Sequence, residues 1–265
     1  MHSEVGNANE VSTTTIDTLG SQRKTELINA RKVEVLDWSE SGMSDLSVVT
    51  TLEDVEELDL SDNRIKEIWP LTTMSGVEVL DLSANMLDDV SALASLPQLR
   101  ILNLSGNAVT DVTPLTRLMH LRRLDLSDNQ LTNIQPLSQL SALEVLILDN
   151  NRIAKVAPLR NLPKLTHLSL RRNRIADVET LRELHSLRRL DLAGNQLNDG
   201  WAIGYLTNIE WLSLPGNPIV DFSALRRLTT LRWLVLDLKT SDAVSGFGYH
   251  FDQLPRDLIE TGERE

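Results

Sequence analysis

The chain repeats one phrase at an interval of 22 residues, and an asparagine closes the phrase each time. The copy at 121–129 reads Leu121-x-x-Leu124-x-Leu126-x-x-Asn129. The eight regular copies end on Asn63, Asn85, Asn107, Asn129, Asn151, Asn173, Asn195 and Asn217. Such strict self-similarity predicts a solenoid, because one copy cannot bury its apolar side alone and must stack on its neighbours.

Each copy predicts the same local structure. The Leu-x-Leu pair indicates a short strand whose leucines point inward while the residues between them point outward. The asparagine lies where the chain turns off the strand, so its amide can pair with backbone groups left open by the turn, and stacked copies form a ladder. Apolar residues continue through the return half, for example Ile134 and Leu137. A period of 22 residues leaves little chain for that return, which predicts 3₁₀ turns rather than full helices.

The phrase at 107–115, Asn-Ala-Val-Thr-Asp-Val-Thr-Pro-Leu, resembles the 22-residue leucine-rich repeats of bacterial internalins. The repeats are also similar to those of a eukaryotic regulatory subunit of protein phosphatase 1. The resemblance covers about residues 33–238. It implies an α/β fold, a right-handed leucine-rich repeat solenoid with a curved parallel sheet on the concave side and 3₁₀ turns and loops on the convex side. Members of this class do many unrelated jobs, so the resemblance implies binding without naming the partner.

The repeats also predict how the chain is divided. The solenoid spans 33–239 and consists of eight regular copies and two degenerate terminal ones, in which Ser41 and Lys239 replace the asparagine. We number these copies one to ten. Residues 1–20 are expected to be a flexible polar leader, 21–32 an N-terminal helical cap, and 240–265 a C-terminal cap and tail. Gly200 replaces the usual Ile or Val of the return half, which predicts a local bulge on the outer side.

Charge and composition narrow the classes of function and the compartment. The formal net charge is −12, and residues 1–100 account for it with 19 acidic and 7 basic side chains. This balance argues against nucleic-acid binding, although the basic segment 152–189 is able to attract an acidic protein surface. There is no cysteine, which excludes disulfides and zinc–thiolate sites. The sequence shows no signal peptide and no apolar run long enough for a membrane span, which favours a cytoplasmic protein; the alternative is a secreted or cell-surface protein after signal removal.

The concave sheet is the predicted binding face, since strands in register present rows of side chains there. In the first five copies the outward positions read Asp or Asn and then Ser, a polar default that keeps an exposed sheet hydrated. Stacked Asp37, Asp59 and Asp81 leave a cation site as the alternative, but no metal and no cofactor is predicted. From the sixth copy onward the default breaks, and the predicted partner-binding residues are Val145, Ile147, His167, Arg171, Arg189, Asp191, Trp211 and Trp233.

Trp and Arg together on one surface have the composition of a protein-binding hot spot, and Arg189 is placed for a cation–π contact with Trp211. The alternative is that residues 240–265 fold back and cover Trp233, or both tryptophans, which would make these rings part of the packing of the cap. His167, Ser169 and Asp191 lie on neighbouring strands, but an open sheet offers no oxyanion hole, so no enzymatic activity is predicted. The predicted function is a protein–protein interaction module, an intracellular scaffold or regulatory subunit. The alternatives are a secreted or cell-surface internalin-like recognition protein and a structural domain of a larger assembly.

Overall fold

A computed structural model describes residues 35–52 and 54–237 of the chain. The predicted leader at 1–20, the helical cap at 21–32 and the C-terminal cap and tail at 240–265 lie outside the described residues, as does Lys239. The strand phrases of all ten copies, by contrast, lie within them, nine as Leu-x-Leu and the first as Leu36-x-Trp38.

Within the described residues, ten three-residue strands form a single parallel sheet in strict chain order. The strands are β1 Val35–Asp37, β2 Glu57–Asp59, β3 Val79–Asp81, β4 Ile101–Asn103, β5 Arg123–Asp125, β6 Val145–Ile147, β7 His167–Ser169, β8 Arg189–Asp191, β9 Trp211–Ser213 and β10 Trp233–Val235. Each residue pairs with the one 22 positions along the chain, so Leu124 lies opposite Leu146. The predicted solenoid, with its open curved sheet, is confirmed.

Short 3₁₀ turns lie between successive strands, as predicted. They are η1 Ser47–Thr51, η2 Trp69–Thr73, η3 Ser91–Ser95, η4 Thr113–Arg117, η5 Gln135–Gln139, η6 Ala157–Asn161, η7 Glu179–Glu183, η8 Ala202–Tyr205 and η9 Ser223–Arg227. In η5 the amide of Leu137 donates to the carbonyl of Ile134 at 3.1 Å, the three-residue spacing of a 3₁₀ turn. Pro136 occupies the first turn, where its missing N–H leaves no donor unpaired.

The core is a stack of leucine layers between the sheet and the turns. The two inward residues of the copy-five strand phrase, Leu124 and Leu126, are fully buried, as are Leu131 and Leu137 of its return half. Full burial of one such side chain contributes about 1.5–3 kcal/mol. Because each layer is closed only by the layers beside it, the stability of a copy depends on its neighbours.

The repeating asparagine binds two copies together. The Oδ1 atom of Asn129 accepts the backbone N–H of Val109, in the preceding copy, at 2.9 Å. Its Nδ2 donates to the carbonyls of Leu104, Leu126 and Ser127 at 2.9, 3.2 and 2.9 Å. Seven of the eight asparagines make all four of these bonds, and Asn217 makes three. Each side chain thus satisfies backbone groups that the turn takes out of the sheet.

The residue before each asparagine has a left-handed backbone conformation. In copies two to nine the φ angle of this residue lies between 50° and 71°. The residues are Asp62, Ala84, Gly106, Asp128, Asn150, Arg172, Gly194 and Gly216. Gly, Asn and Asp adopt this conformation most readily, and they fill six of the eight positions. Ala84 and Arg172 are the residues that the conformation strains.

Copy eight departs from the others where Gly200 predicts it. Gly200 is buried, and the next residue, Trp201, has α-helical dihedrals of φ −55° and ψ −51°. In copy nine the residue that directly precedes the turn is Phe222, the counterpart of Gly200, and it has φ −101° and ψ 9°. As a result the N–H of Gly204 lies within 3.3 Å of the Gly200 carbonyl and 3.2 Å of the Trp201 carbonyl.

Candidate functional site

The concave face divides into two halves that differ in chemistry. In β1 to β3 and in β5 the outward residue between the two inward side chains is an aspartate, and a serine follows two positions later. The Oδ1 atom of Asp59 accepts both the N–H of Ser61 at 2.9 Å and its hydroxyl at 2.6 Å. The polar default of the sequence therefore has a local structural role, because the carboxylate closes the turn that leaves each strand.

Those carboxylates are also the residues considered for a cation site. Asp81 accepts Ser83 through Oδ1, while its Oδ2 accepts the side-chain amide of Asn103 at 2.9 Å. Within 35–52 and 54–237, no group of three or more histidine, aspartate or glutamate side chains is arranged to hold a metal ion. The carboxylates are thus engaged by the chain's own donors.

The pattern changes in copies six and seven. Ile147 replaces the usual aspartate, and Asp149 takes the place of the usual serine. Asp149 reaches into the next copy, where it accepts the hydroxyl of Ser169 at 2.6 Å and the N–H of Arg171 at 2.8 Å. Burial raises the pKa of the Asp149 carboxyl, and these hydrogen bonds oppose the rise. One carboxylate thereby closes the turn of the following copy, which has no aspartate of its own at that place.

Asp191 lies deeper than its outward position in the sequence predicts. Its side chain is buried, with 9% of the residue exposed, and it accepts the N–H of Ala193 at 3.0 Å. The Nε atom of Arg171 lies 3.7 Å from its second oxygen. Burial is the main cause that raises the pKa of the Asp191 carboxyl, ahead of the opposing effects of the hydrogen bonds and Arg171. Asp191 is therefore the buried partner of an ion pair with Arg171, and Arg171 is the more exposed of the two.

The aromatic end of the sheet combines two tryptophans and an arginine. Trp211 and Trp233 lie directly opposite each other in the register of β9 and β10. Trp233 is 43% exposed and Trp211 is half-buried. The guanidinium carbon of Arg189 lies 4.1 Å from the centroid of the Trp211 ring, which is the cation–π contact that the sequence predicts. At this distance the guanidinium lies against the face of the Trp211 ring.

The remaining predicted site residues extend this surface toward β6. Val145 and Ile147 are half-buried and His167 is exposed. The pKa of His167 is lowered, first by burial and then by the positive charges of Arg189 and Arg123. The guanidinium groups of Arg123 and Arg189, on the strands on either side of this part of the face, make the potential near His167 positive.

The hydrogen bonds do not connect His167, Ser169 and Asp191 into a catalytic arrangement. The hydroxyl of Ser169 donates to Asp149, and His167 Nδ1 pairs with the hydroxyl of Thr166 at 2.9 Å. A nucleophile and its base must be within hydrogen-bonding reach of each other, and these two have other partners.

A second cluster, which the repeat pattern does not predict, lies on the outer side of copies seven and eight. Trp201 and Tyr205 are 45% and 39% exposed, and their rings meet edge to face with centroids 5.1 Å apart. The signal that pointed to this place was Gly200, which we interpreted only as a bulge. The two rings come together because they are four residues apart and Trp201 has α-helical dihedrals, so both side chains lie on the same side of the turn.

Comparison with known proteins places the chain in a family. Leucine-rich repeat models match residues 53–109, 120–161 and 163–199. The crystal structure of internalin C2 from Listeria monocytogenes is 33% identical, with a TM-score of 0.63 over 77% of this chain and 80% of that one. The chain belongs to the leucine-rich repeat family. Within that family it is of the internalin-like type.

Two further structures show the same fold. Internalin InlF from Listeria monocytogenes is 27% identical with a TM-score of 0.69 over 74% of this chain. A leucine-rich repeat protein from Leptospira interrogans is 26% identical with a TM-score of 0.67 over 81% of this chain. The chain spans 65% and 62% of these two proteins, respectively. No curated protein sequence gives a significant match.

The family and the fold define a protein–protein interaction module. Proteins of this fold typically bind other proteins rather than catalyse reactions, because side chains in register on a solenoid form an extended recognition surface. None of the helices in the described part of the chain has the length and apolar character of a membrane span.

Proposed function

We propose that the chain binds a protein partner on the C-terminal half of its concave face, without catalysis. The observation that carries this proposal is the aromatic end of the sheet, where Trp211 and Trp233 are adjacent and Arg189 lies against the first ring. Interface hot spots are rich in Trp and Arg. A row of exposed aromatic side chains on adjacent strands is a frequent feature of binding surfaces.

The charge on this half indicates the chemistry of the partner. Arg123 on β5, Arg171 after β7 and Arg189 on β8 face the concave side, whereas Glu57, Asp59 and Asp81 dominate β2 and β3. Arg171 is the one of the three arginines paired with a described carboxylate, Asp191. We therefore expect an acidic surface on the partner, placed over β5 to β8, with an apolar group against the tryptophans.

Capture of the partner tests this proposal. Tagged wild-type protein and a Trp211→Ala/Trp233→Ala variant are compared by affinity purification from cells of the source organism, followed by mass spectrometry. Trp69→Ala is the matched control, because Trp69 is 63% exposed but lies on the outer side in η2. We expect one protein to be lost with the concave variant and retained by the control. Equal recovery with all three would remove the concave half as the site.

Affinity measured with the purified partner then gives a magnitude. Trp211→Ala is expected to weaken binding by about 2 kcal/mol or more, roughly 30-fold, which is the range of hot-spot residues. A thermal unfolding scan accompanies the measurement. A large fall in the melting temperature would instead assign Trp211 to the packing of the solenoid end.

The internalin-like type favours a second candidate within this function, namely recognition outside the cell rather than on an intracellular scaffold. The 33% identity to internalin C2 over 80% of that protein supports it. Fractionation of source cells with an antibody to the chain separates the two roles. Recovery in the culture medium or at the cell surface supports the second, and recovery only in the cytoplasm supports the scaffold.

A further inference from the structure

The outer side of the solenoid carries a groove between the segments that lead from strand to turn in copies seven and eight. Its volume is about 330 Å³, and its lining includes Asp177, Glu179, Asp199 and Trp201 together with the buried Val178, Leu197 and Ala202. It faces away from the concave sheet, since Glu179 belongs to η7 and Trp201 directly precedes η8.

The chain departs from its repeat to form the wall of this groove. Gly200 stands where other copies have a buried apolar side chain, such as Val178 in copy seven. The next residue, Trp201, has α-helical dihedrals. Gly204 allows η8 to lie close against η9, because a Cβ atom there would be 2.5 Å from the carbonyl oxygen of Ala224. These changes place the Trp201 ring beside the groove with Tyr205 buttressing it at 5.1 Å.

The chain already holds a guanidinium at this wall. Arg182 has its guanidinium carbon 5.8 Å from the centroid of the Trp201 ring, and its Nη1 lies 3.5 Å from Oε1 of Glu179. Arg227 similarly lies 4.8 Å from the Tyr205 ring. An aromatic face and a carboxylate therefore already act together on a cation at this place.

The charge of the groove is not balanced by Arg182 alone. Asp177 and Asp199 each use Oδ1 to accept a turn N–H, from Glu179 at 2.7 Å and from Trp201 at 3.0 Å. Together with Glu179 they place three carboxylates around the groove against the one guanidinium of Arg182. A cationic group entering between Asp177 and Asp199 would meet negative charge and an exposed indole at once.

We propose that this groove binds an arginine side chain from an extended basic segment of a partner protein. The groove is large enough for one side chain, and arginine offers a flat cation for the ring together with a fork of N–H donors for the carboxylates. The site is independent of the concave face, so failure of one proposal leaves the other intact.

The repeat supplies charge-matched controls within the same molecule. Asp89 and Asp111 occupy the position of Asp177 and Asp199 in copies three and four, and they make the same bond to a turn N–H. Trp69 occupies the position of Trp201 in copy two. Neither Asp89 nor Asp111 has a tryptophan two residues later, because Ser91 and Thr113 stand there.

The test measures binding of an acetylated, amidated penta-arginine peptide to the full chain by isothermal titration calorimetry. The indole N–H signal of Trp201, assigned with Trp201→Phe, locates the peptide by nuclear magnetic resonance. We expect Asp177→Asn/Asp199→Asn and Trp201→Ala each to weaken binding about tenfold or more. Asp89→Asn/Asp111→Asn and Trp69→Ala are expected to stay within about twofold of the wild type.

The outcomes are separable. If both aspartate pairs weaken binding equally, the peptide is attracted by the net charge of the chain and the groove is not a site. Binding without a shift of the Trp201 indole signal would overturn the proposal as well. A penta-citrulline peptide, which is neutral but has nearly the same shape, is expected not to bind. Circular dichroism of each variant shows that the solenoid is intact, and Trp201→Phe replaces Trp201→Ala if the latter unfolds.

Discussion

Replacement of Asn129 by alanine is the sharpest test of how the copies are held together. The substitution removes one acceptor and three donated bonds at once. Their loss is unequal, because the carbonyl of Leu104 also accepts the amide of Asn107, and the carbonyl of Leu126 also accepts that of Asn151. The Val109 N–H, by contrast, has Asn129 as its acceptor within the described structure and is buried.

The magnitude follows from that inequality. A buried N–H left without an acceptor costs about 1–3 kcal/mol, and the weakened carbonyls add about 1 kcal/mol, so we expect Asn129→Ala to lower the free energy of unfolding by about 2–4 kcal/mol. Asn133→Ala in the same copy is the control, because its exposed side chain accepts one N–H, that of Gln135, at 2.9 Å. That control is expected to cost about 1 kcal/mol or less.

Urea unfolding measures the stability of both variants. A shift of the midpoint reports a change in stability if the slope of the unfolding free energy against urea concentration equals that of the wild type. Hydrogen exchange of the Val109 amide provides the local measurement, and we expect its protection to fall in Asn129→Ala. Asn129→Asp keeps the acceptor for Val109 but turns an oxygen toward three carbonyls, so it should also destabilise the fold. Equal stability of Asn129→Ala and Asn133→Ala, or protection of the Val109 amide as high as in the wild type, would show that the asparagine does not hold the copies together.

Four further results are expected. Ala84→Gly should raise the free energy of unfolding in urea by about 0.5–1 kcal/mol, because it relieves a left-handed φ of 51°. Ala154→Gly is the control: Ala154 is exposed and has no positive φ, so this substitution should lower the stability of the protein. Leu168→Ala should cost about 2–5 kcal/mol, since this leucine is 1% exposed; a loss under about 1 kcal/mol would contradict its place in the core. The pKa of Asp191 is raised by burial, so the folded state holds its proton at pH values where the unfolded chain is ionised. Asp191→Asn should therefore raise the melting temperature at neutral pH and remove the gain in stability that the wild type shows as pH falls through the folded pKa. Asp111→Asn should act in the opposite direction, because hydrogen bonds from Thr113 lower the pKa of Asp111, and its contribution is lost as pH falls through that lowered value.

The two halves of the concave face show why some site residues are predictable from sequence and others are not. Arg189 and Trp211 are predictable neighbours, because the strand register places residues that are 22 apart directly opposite each other on adjacent strands. Asp191 occupies an equally outward position by the same rule, yet it is buried. Its depth depends on the bulk of the side chains around it, which periodicity does not describe.

The sequence by itself determined the solenoid, the strand register and the 3₁₀ turns, since each copy repeats one local pattern and can bury its leucines only by stacking. It also determined which asparagines pair with the backbone, because their position at the end of each strand is the same in every copy. The tertiary structure alone decided which carboxylate accepts hydrogen bonds from the next copy, as Asp149 does from Ser169 and Arg171. It also decided that Trp201, Tyr205 and two arginines meet on the outer side. Both depend on distances between side chains of different copies, and such distances are set by packing rather than by spacing along the chain.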